Sequence, residues 1–256
     1  MNSPSPHPTV SKRRSAPPLR RWTYICITYA LALGAAVILA RAHAAYLGDT
    51  LVRSRPSEIL RDPTLLHFAE GEGPALYREH CASCHGARRE GDRARGAPNL
   101  ADGVWLYGNG AILDIEITVL YGIRSGHPKA HNLTDMPAFG RNGQLSSQDI
   151  RDVVEYVRLL SGRPHDEAAA GHGREIFQGA GLCYDCHASD GYGVSDYGTP
   201  ALTGRGGSWL YGGDPDTLYK SIYDGRHGRC PAWIGKLSFV QIRALSVYLY
   251  ETSHHE

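Results

Sequence analysis

The chain has 256 residues, with 27 basic and 26 acidic side chains and a formal net charge of +1. That balance leaves no electrostatic footprint for nucleic acid, so no nucleic-acid partner is expected. Six cysteines and two methionines, one of them Met1, make each sulfur atom informative.

Residues 1–21 are rich in Ser, Pro and base, carrying Lys12, Arg13, Arg14, Arg20 and Arg21 with no acid, and read as a disordered cytoplasmic basic tail. Trp22–Ala40 then runs 19 residues without a charge, close to the roughly 20 that cross a bilayer, and Trp22 and Tyr24 are placed as interfacial anchors. One transmembrane helix over 22–40 is expected, in contact with membrane lipid. The competing reading is a cleaved signal peptide, because Ala42-His43-Ala44 has the small-x-small form of a cleavage site. Against it, the apolar run exceeds the roughly 7–15 residues of a signal core. Residues 41–69 read as a linker.

The first domain, 70–163, opens with Cys81-Ala82-Ser83-Cys84-His85. Cys-x-x-Cys-His is the attachment pattern of haem c: the thiols of Cys81 and Cys84 form thioethers with the two haem vinyl groups, and His85 becomes the proximal iron ligand. Half a zinc site and a redox disulfide are the alternatives, but neither needs a His after the second Cys. Pro98 lies where a rigid loop could turn its carbonyl toward the ring N–H of His85 and raise the basicity of the ligand. Met136 is the sole internal methionine, 51 residues after His85 in a loop before the closing helix, and is the distal candidate for this iron. In that closing helix Ile150, Val153, Val154 and Val157 form one apolar stripe after a polar Ser146-Ser147-Gln148 start.

Periodicity lapses at Gly162-Arg163-Pro164-His165, and a second domain, 164–256, follows. Its Cys183-Tyr184-Asp185-Cys186-His187 repeats the first motif at an offset of 102 residues, with Cys183 and Cys186 as attachment sites and His187 proximal. Around it the chain duplicates itself. Gly96-Ala97-Pro98-Asn99-Leu100 matches Gly198-Thr199-Pro200-Ala201-Leu202, and Trp105-Leu106-Tyr107-Gly108 recurs as Trp209-Leu210-Tyr211-Gly212. Met136-Pro137-Ala138-Phe139 pairs with Cys230-Pro231-Ala232-Trp233. The second iron therefore has no methionine at the matching place, and its distal ligand is Cys230 as thiolate, His227, or an open site. Ser238 and Gln241 form a capping box ahead of Ile242, Leu245 and Leu249 in the last helix. The fold class expected is mainly α: one N-terminal transmembrane helix and two tandem cytochrome c domains, binding two covalently attached haem c groups.

The ordered series CASCHG, GAPNL, WLYG, YGIRSGHP, MPAFG, CYDCH, WLYG and CPAW resembles the dihaem subunit, CcoP or FixP, of cbb3-type cytochrome c oxidases. The resemblance implies a single-pass protein of the bacterial inner membrane with its haem domains in the periplasm. It implies electron transfer from a soluble or membrane donor cytochrome to the monohaem and catalytic subunits of the oxidase, where oxygen is reduced, and no catalysis in this chain. The family pattern has Met where this chain has Cys230. A dihaem thiosulfate dehydrogenase with a His/Cys haem and a gas- or redox-sensing haem subunit are the alternative readings.

Overall fold

The computed structural model describes residues 19–203 and 209–254; the basic tail expected at the N-terminus lies outside them up to residue 18. The first helix, α1 (Leu19–Arg53), is longer than the span expected over 22–40. Its stretch Trp22–Arg53 is long and apolar enough to cross a membrane. The helix runs on because Ala42, Ala44, Ala45 and Leu47 are strong helix formers and Arg53 reaches back one turn to Asp49, Nε to Oδ1 at 3.0 Å. Much of the expected linker is therefore helical.

The chain divides at Leu47 into two units, the second being Gly48–Glu256. In this second unit the last turns of α1 are part of the fold, with Leu51 fully buried. There follow α2 (Pro56–Ile59), α3 (Pro63–His80), α4 (Ala82–His85), α5 (Ile112–Tyr121), α6 (Ser147–Leu160), α7 (Glu167–Gln178), α8 (Tyr184–His187), α9 (Pro215–Asp224) and α10 (Phe239–His254). The described residues form isolated bridges but no strand, as expected of a mainly α chain.

The helix starts follow side-chain capping. Asp62 accepts from the backbone N–H of Thr64 and Leu65 ahead of α3, with Pro63 in the first turn. Ser146 and Asp149 form a capping box on α6. Ser238 and Gln241 do the same for α10, as their spacing predicts.

Two cores result, each built from both halves of the chain. The first gathers Leu76 and Tyr77 of α3, Ile115 and Leu120 of α5, and Ile242, Leu245 and Leu249 of α10. The second gathers Ile150, Val153 and Val157 of α6, Ile176 and Phe177 of α7, and Leu218 and Ile222 of α9. The segments 70–163 and 164–256 thus exchange their closing helices: α6 closes the lobe of the second haem motif and α10 the lobe of the first. The stripe Ile150, Val153, Val154, Val157 is buried as the periodicity predicts, but against the other copy. Periodicity specifies which face of a helix is apolar, and duplicated partners offer similar faces, so the pattern does not choose between them.

The crossings are tight in both lobes. A Cβ on Gly73 of α3 would lie 2.2 Å from the Cβ of Tyr248 on α10, and one on Gly173 of α7 would lie 2.0 Å from the carbonyl oxygen of Asp152 on α6. Glycine lets the backbones approach at these points. In the first lobe Arg243 of α10 is buried, with Nε 2.6 Å from Glu116 of α5 and Nη1 donating to the carbonyl of Ser54 at 3.0 Å. This pair ties the closing helix to α5 and to the residue that follows α1.

Candidate haem sites

Each Cys-x-x-Cys-His motif sits on a one-turn helix, α4 or α8, at the edge of a continuous cavity of about 800 Å³. Cys81, Cys84, His85, Cys183, Cys186 and His187 all line that cavity. The Nδ1 of His85 lies 2.9 Å from the carbonyl of Pro98, and that of His187 lies 3.2 Å from the carbonyl of Pro200. A ring N–H donated to these oxygens leaves Nε2 free as the iron ligand. Burial lowers the pKa of both imidazoles, favouring the neutral form that binds metal. The expectation from the paired Gly-x-Pro loops is met in geometry.

The distal candidates are brought together differently from their order in the sequence. Met136 was expected opposite His85, and Cys230 or His227 opposite His187. Cys230 instead lies beside the first motif: it pairs with Ile123 at the end of α5, N to O at 3.0 Å one way and 2.9 Å the other. The Cys81 thiol is pushed up to about 12 by burial first and by its neighbours Cys230 and Cys84 next. Cys230 is itself raised to about 11 by burial and by Cys84. Met136 pairs with Arg226 at the end of α9 and packs with Cys183 against the second core. The physical reason is the helix exchange: each distal loop leads directly into a closing helix and is carried with it into the other lobe. His227 does not line the cavity; its half-exposed ring lies 3.4 Å from Asp135.

The residues fit haem. The cavity wall is largely apolar, with Leu100, Val104, Ile115, Leu202 and Leu218 among its members, and the four motif thiols are free. Trp105, in the first of the repeated Trp-Leu-Tyr-Gly segments, also lines the cavity, and its Nε1–H is buried with no partner. A buried donor of this kind calls for an acceptor, and a haem propionate would supply one. The other repeated residues bind the lobes to each other. The Tyr107 ring fills the space above Gly198 in the second proximal loop, and the Tyr211 ring fills the space above Gly96 in the first. The sequence repeat marked these tyrosines without revealing that each lies over the opposite proximal loop.

Residues 71–161 match the family described as Cytochrome c, and residues 168–249 match Cytochrome C oxidase, cbb3-type, subunit III. The FixP subunit of the cbb3-type oxidase of Bradyrhizobium sp. ORS 278 is 42% identical over 198 residues, 76% of this chain and 64% of that protein. The CcoP subunit from Cereibacter sphaeroides is 40% identical over 206 residues, 80% of this chain and 69% of its own. FixP of Azorhizobium caulinodans is 44% identical over 194 residues, 75% of this chain and 63% of its own. The chain thus spans about two thirds of the length of these relatives. With a cytochrome c domain around each Cys-x-x-Cys-His motif, it carries two covalently bound haem c groups and belongs to the CcoP/FixP family, subunit III of cbb3-type cytochrome c oxidases.

Proposed function

We propose that this chain is the membrane-anchored electron carrier of a cbb3-type oxygen reductase. It accepts electrons singly from a donor cytochrome on the periplasmic side and passes them to the monohaem and catalytic subunits, which reduce oxygen. The single cavity lined by both haem-binding motifs carries this reading, because it keeps the two cofactors adjacent within one folded unit. Bound haem iron supplies the one-electron couple. The chain holds the groups through Cys81 and Cys84 in one lobe and Cys183 and Cys186 in the other, with His85 and His187 proximal.

Cys230 would hold the haem bound in the lobe of His85, and Met136 the haem bound in the lobe of His187. A thiolate stabilises oxidised iron, whereas a thioether favours the reduced form, so with these ligands the first haem would have the lower potential and the second the higher. The apolar segment Trp22–Ala40 anchors the chain in the inner membrane. Lys12, Arg13 and Arg14 favour a cytoplasmic N-terminus, and covalent haem attachment on the exported side places the haem domains in the periplasm.

Affinity purification of the full chain from membranes tests the function. Recovery of copper, haem b and oxygen uptake driven by a reduced c-type cytochrome is expected. Thiosulfate oxidation by the isolated chain, with no associated oxidase subunits, would overturn it.

A further inference from the structure

The Gly122-Ile123-Arg124-Ser125 turn after α5 contains an unexplained charged residue. Arg124 adopts φ +46°, a left-handed backbone region that disfavours side chains. Its side chain is mostly buried and points into the crossing of the two distal loops. Nε donates to the carbonyl of Gly228 at 2.5 Å, two residues before Cys230. Nη1 donates to the carbonyl of Thr134 at 2.8 Å, two residues before Met136. The carboxylate of Asp135, next to Met136, lies 3.2 Å from Nε. The guanidinium also lies near the Tyr107 side chain, whose ring covers Gly198 in the second proximal loop.

We infer that Arg124 is a positioning residue that holds the Cys230 and Met136 loops together, so that the distal ligation of each haem depends on the other. The inference rests on the ligand sets proposed above and adds the coupling between them. Arginine suits the task because its rigid fork presents several donors at once, and charge-assisted bonds to carbonyls and a carboxylate are stronger than neutral ones. Lysine offers a point charge and cannot span the same acceptors with fixed geometry. The neighbouring bridge places Ile123 opposite Cys230 as Arg226 is placed opposite Met136, so His227 occupies the matching place in the second copy. His227, in the Cys230 loop, faces Asp135 at 3.4 Å and Arg226 pairs with Met136 through the backbone, whereas the Arg124 side chain comes from a third segment and donates to a carbonyl of each loop.

The test compares full-length holoprotein carrying Arg124→Gln or Arg124→Lys with wild type. Electron paramagnetic resonance and carbon monoxide binding report each distal site, and thermal unfolding reports the fold. In Arg124→Gln both low-spin signals should change, and carbon monoxide should bind the reduced protein at both haems at least fivefold faster. Arg124→Lys should show the same two-site change to a smaller extent, and it serves alone if Arg124→Gln does not accumulate. Signals unchanged at either haem in the folded variants would overturn the coupling. Cys230→Ala and Met136→Ala separate the two claims. If neither alters a haem signal, the ligand sets are wrong; if each alters one and the Arg124 variants do not, only the coupling is wrong.

Discussion

Position 230 decides how unlike the two haems are, and in the proposed ligand sets that difference falls in the first lobe instead of the second. A thiol beside Cys81 and Cys84, raised to about 11 by burial, becomes a strong ligand only when iron takes the place of its proton. Substituting Cys230→Met should therefore raise the potential of the haem held by His85, on the order of a few hundred millivolts within the ~0.8 V that axial ligands span. The haem held by His187 should stay nearer its wild-type value. Redox titration of the two absorbance components checks this, and a larger shift in the second haem would return Cys230 to the lobe its sequence order suggests. The contacts of His85 with Pro98 and of His187 with Pro200 were legible from sequence because each motif occupies five consecutive positions and its proline loop recurs at the same offset. The distal pairing was not, because Met136 and Cys230 lie far along the chain from both motifs and reach a lobe only with the helix that follows them.

At the scale of helices, the α6–α7 crossing sets two expectations with opposite signs on one helix. Gly173→Ala drives a Cβ to 2.0 Å from the Asp152 carbonyl, a backbone atom with no rotamer to yield, and should cost roughly 2–3 kcal/mol of stability. Gly171→Ala, exposed two residues earlier with nothing within 4 Å, should stabilise by about 0.5–1 kcal/mol through helix propensity. Denaturant midpoints distinguish them, and equal effects would mean the crossing tolerates separation. Between these glycines, His172 donates from Nδ1 to the buried Asp152 carboxylate at 2.6 Å, while Gln148 of α6 satisfies the other oxygen. That bond, with Asp149 and Glu175 nearby, raises the histidine pKa. A raised folded value adds stability that is complete below the ordinary pKa of about 6.5 and is lost as pH rises through the folded value. Midpoints measured from about pH 6 to 9 should fall further for wild type than for His172→Gln; parallel curves would refute the linkage. The apolar stripe of α6 and the capping box of α10 were legible in the sequence, since each depends on residues within one or two turns. Which partner each helix meets was not, because Gly73 and Gly173 offer similar close crossings in the two copies.

Exchange of closing helices changes what the whole haem unit is: two lobes, neither of which is a contiguous stretch of chain. The first lobe needs α3 and α5 from before residue 163 and α10 from after it; the second needs α6 from before and α7 and α9 from after. Cutting the polypeptide between α6 and α7 therefore breaks a connection without detaching a domain. A protease site inserted after Pro164 and cleaved in the purified holoprotein should leave both fragments in a single species under native conditions, retaining both haem spectra. They should separate only when denaturant melts the α10–α3 and α6–α7 packing. Apolar surface on four helix stripes, not one peptide bond, is what holds each half to the other, and burial at roughly 25 cal/mol per Å² favours the associated state strongly. Contiguous domains would behave otherwise, separating at once into two single-haem cytochromes on a sizing column. Such separation would refute the exchange and, with it, the assignment of Cys230 to the first haem and Met136 to the second, because each distal loop follows its closing helix.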